Sequence, residues 1–361
     1  MQNYFPINWQ HATEKFVHNA HNVGDLNWCV AKNHSYDIPY VIIGDGPEKV
    51  VFYSGVSGLD AFYGSAAQNL FLDKFAPNLS YDLRKKYTIV LIHVVNGWGM
   101  DNGMHETCDS NGTLVDLGRN FVPDFQHKPL NPLYSAVHKY LVKKPHAEKM
   151  NHIDIIRQRD MIFKEWSAIQ QGQYKQSTGL FYGGNAPTIE NKMLLSVFDK
   201  IAENATGLFP IAMVTGNELY YRYNSVPGDG QFHSPYGNHY NQHRFFERFY
   251  YTTTQLPLCI NGGLLRVLEQ RYDIPHNRVY GADFCVCTDV DANKAQMNKF
   301  YHMGNAKYEY RYFKEVSPQT KSALKQIFCP SDAEWRQAAI ETTYDMYKSM
   351  FGFLEFCSKQ K

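Results

Sequence analysis

The chain has 361 residues, of which 44% are hydrophobic and 15% aromatic, and its formal net charge is +1. This composition supplies a large core and excludes a disordered chain. The balanced charge, without a block of Lys or Arg, excludes the electrostatic footprint of a nucleic-acid-binding protein, and no stretch reaches the roughly 18 apolar residues of a membrane span.

The first elements are a helix and two strands. Residues 8–22 place Trp9 and Phe16 on one face, which predicts an amphipathic helix. Apolar runs at residues 40–44 and 50–53 are separated by a turn signal, Asp-Gly-Pro, so we expect two neighbouring strands.

The run at residues 50–53 leads through a glycine-containing loop into a helical pattern at residues 61–76. This order is typical of a buried strand, a tight loop and a crossover helix. Ligands bind at the carboxyl ends of such strands, so Ser57 and Asp60 stand where chemistry is expected.

A further buried strand is predicted at residues 87–95, with His93 at its end. His93 is interpreted as a hydrogen-bonded core histidine, with an active role as the alternative. Beyond it, Arg119 carries a planar, permanently charged guanidinium that suits bidentate binding of a carboxylate.

The rest of the chain continues to alternate helices with strands. Helices are predicted at 130–142, 152–170, 188–204, 262–271 and 333–356, and strands at 208–216 and 278–287. No linker or repeat interrupts this pattern. It predicts a single α/β domain over residues 1–361, with a mixed, mostly parallel central sheet and helices on both faces.

Four stretches, around residues 54–68, 93–99, 115–121 and 172–184, resemble the zinc carboxypeptidase superfamily, in an uncharacterised bacterial branch. The resemblance implies a zinc-carboxypeptidase-like fold. It also implies that a His and a Glu three residues apart in the first stretch, with a His on a later strand, bind zinc. A strand Glu is the general base of that family, and an Asn-Arg pair binds the terminal carboxylate of the substrate.

This chain departs from that pattern at nearly every functional position. Ser57, Asp60 and Val214 occupy the three metal-ligand positions, and Asp283 occupies that of the general base. Arg119 is kept, but its Asn neighbour is Gly, and the family's upstream Arg is missing. Because catalytic zinc needs three protein ligands, we expect no metal and no cofactor here.

These losses favour a carboxypeptidase-like pseudoenzyme whose crevice binds an unknown small molecule, peptide or protein. The alternative is an active metal-dependent hydrolase or amidase with a relocated metal. Its candidate ligands are His105, Glu106, His233, His239 and Asp283. His239 and the nearby His243 have the i, i+4 spacing of a zinc-binding helix.

Two other chemistries are less favoured. Ser57 lacks the glycine two residues later that a nucleophile elbow requires, and Cys285 or Cys108 could pair with His93 or His105. The seven cysteines show no Cys-x-x-Cys spacing, which suits reduced thiols. We expect a cytoplasmic protein, or one exported without a cleavable signal.

Overall fold

The computed structural model describes residues 4–32, 34–141, 166–216, 230–233, 252–253, 261–274, 279–289 and 292–360. Its helices are α1 (Trp9–Ala20), α2 (Ala61–Lys74), α3 (Tyr81–Lys86), α4 (Gly97–Asn102), α5 (Pro132–Leu141), α6 (Trp166–Gln170), α7 (Ile189–Ala202), α8 (Leu264–Arg271), α9 (Ala292–Phe313), α10 (Pro318–Phe328) and α11 (Ala333–Ser358). Short 3-10 helices lie at Ala76–Asn78 and Leu117–Arg119.

The strands form a main sheet and a small hairpin. They are β1 (Asp25–Cys29), β2 (Ile38–Ile43), β3 (Glu48–Ser54), β4 (Tyr87–Ile92), β5 (Thr107–Cys108), β6 (Leu114–Val115), β7 (Gly207–Gly216), β8 (Gly230–His233), β9 (Thr252–Thr253) and β10 (Ala282–Cys287). The main sheet has the order β1-β2-β4-β3-β7-β10-β8-β9, and β5 pairs with β6.

The centre of the main sheet is parallel and its flanks are mixed. Strands β4, β3, β7 and β10 pair in parallel, whereas β1, β2 and β8 join by antiparallel pairing. The predicted mixed, mostly parallel α/β sheet is therefore confirmed. The parallel strands bring their carboxyl ends to one edge, where residues 55–60 follow β3, residues 214–216 end β7 and residues 288–289 follow β10.

The prediction that the first two apolar runs form neighbouring strands is wrong. β4 lies between β2 and β3 and pairs with both of them. The turn at residues 45–47 does not close a hairpin, because Asp45 donates its backbone N–H to the carbonyl of Arg84 at the end of α3. Non-local pairing has therefore overridden the local turn signal.

Apolar side chains cover both faces of the sheet. On one face, α1, α2 and α11 pack around Phe52, Phe71 and Tyr347, and α2 is buried on all sides from Ala61 to Leu72. On the other face, α7 and α8 cover Val51 and Tyr53. The predicted placement of helices on both faces is thus observed.

A third apolar cluster forms beside the carboxyl edge of the sheet. It joins α5, α9 and α10 through side chains that include Tyr134, Phe181, Phe300 and Phe328. Both α9 and α10 lie in the last part of the chain, for which the sequence analysis predicted only α11. In the described part of the chain, no helix combines the length and apolar character needed to cross a membrane.

Candidate functional site

Asp60 lies between β3 and α2 and binds β7. It is the residue before α2, yet its side chain does not cap the helix. Its Oδ1 instead accepts hydrogen bonds from the backbone N–H of Thr215, at 3.2 Å, and from the Thr215 hydroxyl, at 2.7 Å. The carboxylate is therefore joined to the strand end that follows β3 in the sheet.

Ser57 and Val214 complete the three positions that the resemblance assigns to metal ligands. The Ser57 side chain is buried, and its hydroxyl has no hydrogen-bond partner in the described part of the structure. Val214 pairs with Cys285 in the β7–β10 register and packs against Cys285 and Cys287. One position thus offers a neutral hydroxyl, one a bound carboxylate and one an apolar side chain.

These residues do not fit zinc. Structural and catalytic zinc sites take at least three ligands from Cys, His, Asp and Glu, and here only Asp60 belongs to that set. Across the residues that the structure describes, no group of three or more His, Cys, Asp or Glu side chains could hold a metal ion.

Asp283, at the position that the resemblance assigns to the general base, lies on β10 opposite Ala212 of β7. Burial raises its pKa to about 7, the charge of Asp60 acts in the same direction, and Arg119 opposes it. Two carboxylates and one guanidinium thus interact at the carboxyl edge. On the other side of β10, His233 of β8 pairs with Asp283 in the backbone register.

Arg119 is held rigidly at the end of its 3-10 helix. One guanidinium nitrogen donates to the carbonyl of Gln170 at 2.9 Å, and another lies 3.4 Å from Asp116. The guanidinium carbon is 4.7 Å from the centre of the Phe181 ring, a cation–π contact. Its Nε, although buried, has no hydrogen-bond partner among the described residues.

Glycines allow this close packing around Arg119. A Cβ on Gly262 would lie 2.2 Å from the Arg119 carbonyl oxygen, and one on Gly172 would lie 2.4 Å from Arg119 Cγ. Both glycines also have positive φ angles, +69° and +87°, which side chains disfavour. The two glycines therefore let neighbouring chain segments pack closely against the backbone and Cγ of Arg119.

Asp116 connects Arg119 to His105. Nε2 of His105 lies 3.2 Å from the Asp116 carboxylate. Burial alone would raise the pKa of Asp116, but the charge of Arg119 and the contact with His105 hold it well below its usual range. Asp116 is therefore ionised. Its carboxylate contacts one ring nitrogen of His105, which is one of the residues considered as a ligand of a relocated metal.

The other candidate ligands of a relocated metal include Glu106, which forms an ion pair, and two histidines outside the residues that the structure describes. Glu106 forms an ion pair with Lys307 at 3.3 Å, and both side chains are buried. His239 and His243, in the tract 233–243, lie outside the described residues. The relocated metal therefore gains no support from His105 and Glu106.

His93 has the structural role that was favoured for it. Its Nε2 lies 2.9 Å from the hydroxyl of Ser65, and its ring stacks on Phe16 with 4.4 Å between centroids. Burial lowers its pKa to about 3, so the ring is neutral. Among the described residues, the polar contact of His93 is with Ser65 and that of Cys108 is with the hydroxyl of Tyr310, so these two residues do not pair with each other.

Lys299 of α9 was missed by the sequence analysis. Its ammonium lies 4.5 Å from the centre of the Phe328 ring, and burial lowers its pKa while Asp60 and Cys285 oppose that shift. No sequence motif marks this lysine, because it lies in a long helix beyond the stretches that carry the resemblance. Only the fold brings it to the carboxyl edge.

Three solved structures similar to this chain illustrate what the structural comparison finds. Bovine thrombin-activatable fibrinolysis inhibitor, solved with a tick carboxypeptidase inhibitor, is 12% identical; 96% of this chain and 98% of that chain are covered, with a TM-score of 0.47. Carboxypeptidase A from Helicoverpa armigera is 11% identical, with 98% and 72% covered and a TM-score of 0.46. A metallo-carboxypeptidase from Pseudomonas aeruginosa is 10% identical, with 96% and 71% covered and a TM-score of 0.43.

No curated protein matches the sequence. The family assignment rests on a family model that matches residues 8–342, which is most of the chain. The chain therefore belongs to the family described as "Protein of unknown function (DUF2817)".

Proposed function

We propose that this protein is a carboxypeptidase-like pseudoenzyme whose crevice, at the carboxyl ends of β3, β7 and β10, binds a carboxylate-bearing ligand. The observation that carries the proposal is the state of Asp60. Its carboxylate is bound by Thr215, while the neighbouring Val214 offers no donor atom.

The loss of peptidase chemistry follows from this donor set. A zinc-bound water is activated because the metal lowers its pKa to about 7. Ser57, Asp60 and Val214 cannot hold zinc, so Asp283 has no activated water to deprotonate. Peptidase activity would also need a cation at the position where the family's upstream Arg is missing.

Ligand binding is supported by Arg119. Its guanidinium is already fixed between Phe181, Asp116 and the carbonyl of Gln170, so little side-chain entropy is lost when a ligand binds. Its buried Nε–H group is a hydrogen-bond donor without a partner among the described residues. A small molecule, or a peptide or protein with an accessible carboxylate, suits this anchor.

The cysteine pattern supports the compartment that we propose for the protein. None of the six cysteines in the described part of the structure is joined to another by a disulfide. This is typical of a reducing compartment, so we propose a cytoplasmic location, with export by a route without a cleavable signal as the alternative.

The metal half of the proposal is tested by elemental analysis of protein purified without added metal. We expect no stoichiometric zinc in the wild type. A variant combining Ser57→His, Asp60→Glu and Val214→His should gain zinc, because it restores the family's ligand set. Stoichiometric zinc in the wild type that is lost on His105→Ala or His239→Ala would overturn the proposal and support a relocated metal.

The ligand half is tested by calorimetry with a panel of N-acetyl amino acids as carboxylate probes. Arg119→Gln should abolish binding, and Arg119→Lys should weaken it because the planar fork is lost. Arg271→Gln is the matched control, since Arg271 pairs with Asp199 at the surface. Equal binding by the wild type and both Arg119 variants would refute the anchor.

A further inference from the structure

A small cavity opens beside the crevice, between the ends of β7 and β10 and the helices α9 and α10. Its volume is about 150 Å³. Polar side chains make up most of its lining, which consists of Thr215, Gly216, Thr288, Asp289, Asn298, Lys299, Gln326, Ile327 and Phe328. Thr215 is shared with the crevice, because its hydroxyl binds Asp60.

Lys299 is the cation of this cavity. Its side chain is half-buried, with the ammonium over the Phe328 ring, and it forms no ion pair or hydrogen bond within the part of the chain that the structure describes. Transfer of an ammonium out of water is costly unless a partner compensates it. The ring contact and the charge of Asp60 supply part of that compensation.

Most other polar groups of the lining have already used their donors. The Thr215 hydroxyl donates to Asp60, and the Thr288 hydroxyl donates to the carbonyl of Gly216. The amide of Gln326 is bound to Ser331 through both its oxygen and its nitrogen. The donors left in the lining are the Lys299 ammonium and the amide of Asn298, which has no partner among the described residues.

Two free donors, one of them charged, indicate the chemistry of the ligand. We propose that this cavity binds a small oxyanion, a carboxylate or a phosphate, held by Lys299 and Asn298. Lys299 would neutralise the negative charge, and Asn298, the preceding residue on α9, would donate to a second oxygen. The inference rests on the ligand-binding function proposed above, to which it adds a second anion site in addition to the Arg119 anchor.

Asp289 limits where the anion can sit. Its carboxylate also lines the cavity, so a negative group beside it would be repelled. We expect the anionic group to lie nearer to Lys299 than to Asp289. A ligand whose other end donates a hydrogen bond, such as a hydroxy acid, satisfies both ends of the cavity.

The experiment is calorimetric titration with acetate, glycolate and inorganic phosphate at constant ionic strength. Carboxylates and phosphate are compared to identify the source of the oxyanion, and tighter binding of glycolate than of acetate is expected from Asp289. Lys299→Met should weaken binding by about tenfold or more, the usual effect of losing a charged hydrogen bond. Lys299→Arg, which keeps the charge, should retain most of the affinity.

Lys325→Met is the matched control. Lys325 also lies over an aromatic ring, that of Phe62 at 3.9 Å, but it donates to the carbonyl of Ile7 and does not line the cavity. Its replacement should leave anion binding unchanged. Unchanged binding by Lys299→Met, or no binding of any of these anions to the wild type, would overturn the inference.

The outcomes also separate this inference from the proposed function. If Arg119→Gln abolishes binding of N-acetyl amino acids but Lys299→Met changes no affinity, the pseudoenzyme proposal stands and the Lys299 site is wrong. If the wild type contains stoichiometric zinc, the proposed function fails whatever the Lys299 variants show. Thermal unfolding of each variant establishes that it is folded.

Discussion

Asp283→Asn tests the electrostatics of the carboxyl edge directly. Burial and the charge of Asp60 raise the pKa of Asp283 from 3.8 to about 7. The Asp283 carboxyl therefore stays protonated in the folded protein over a pH range in which it is ionised in the unfolded chain. The contribution of this protonation to the free energy of unfolding is fully present below about pH 4 and is lost as the pH rises through about 7.

The size of the effect follows from the pKa shift. Each pKa unit corresponds to about 1.4 kcal/mol, so a rise from 3.8 to about 7 corresponds to about 4 kcal/mol. Asp283 is half-buried, and its remaining contact with solvent reduces this amount. We expect a difference of about 2 to 4 kcal/mol between the wild type and Asp283→Asn to develop from pH 4 to above pH 7.

Urea unfolding of both proteins across this pH range measures the difference. The asparagine variant should become more stable relative to the wild type as the pH rises, because it has no charge to bury. Asp199→Asn is the control, since the hydrogen bond from Arg271 lowers the pKa of Asp199 and gives the opposite direction. Parallel pH profiles for the wild type and Asp283→Asn would refute the reasoning.

The remaining predictions concern the packing around the site. Lys307→Met leaves the Glu106 carboxylate buried without its ion pair, so we expect a loss of about 3 to 5 kcal/mol in the free energy of unfolding, measured by urea. Adding Glu106→Leu should recover most of that loss, and an unchanged single variant would contradict the prediction. Gly262→Ala should weaken carboxylate binding at Arg119, measured by calorimetry, because its Cβ would lie 2.2 Å from the Arg119 carbonyl oxygen. Gly352→Ala, where a Cβ meets nothing within 4 Å, should bind the probes as the wild type does.

Local patterns predicted much of the fold. The strand, loop and helix from Val50 to Lys74 were predictable because an apolar run, glycines and a helical period lie next to each other in the sequence. The order of the sheet was not fully predictable, because the insertion of β4 between β2 and β3 depends on pairing between distant segments. Turn chemistry alone carries no information about such pairing.

In the candidate site too, features set by local sequence were predictable and contacts between distant residues were not. Asp60 follows a strand and Asp283 lies on a strand that could both be located from the sequence, and in the structure the charge of Asp60 acts on Asp283. The bond from Thr215 to Asp60 could not be foreseen, since it joins residues 155 positions apart. Lys299 was equally hidden, because a lysine on a long helix is ordinarily a solvated residue.

The buried ion pair between Glu106 and Lys307 has a consequence for the distant end of α9. Lys299 and Lys307 are eight residues apart, slightly more than two helical turns, so they project from neighbouring parts of the helix surface. Anchoring Lys307 to the loop before β5 fixes the rotation of α9 about its own axis. A shift of the helix by a single residue would swing the Lys299 ammonium by about 100° and carry it off the Phe328 ring.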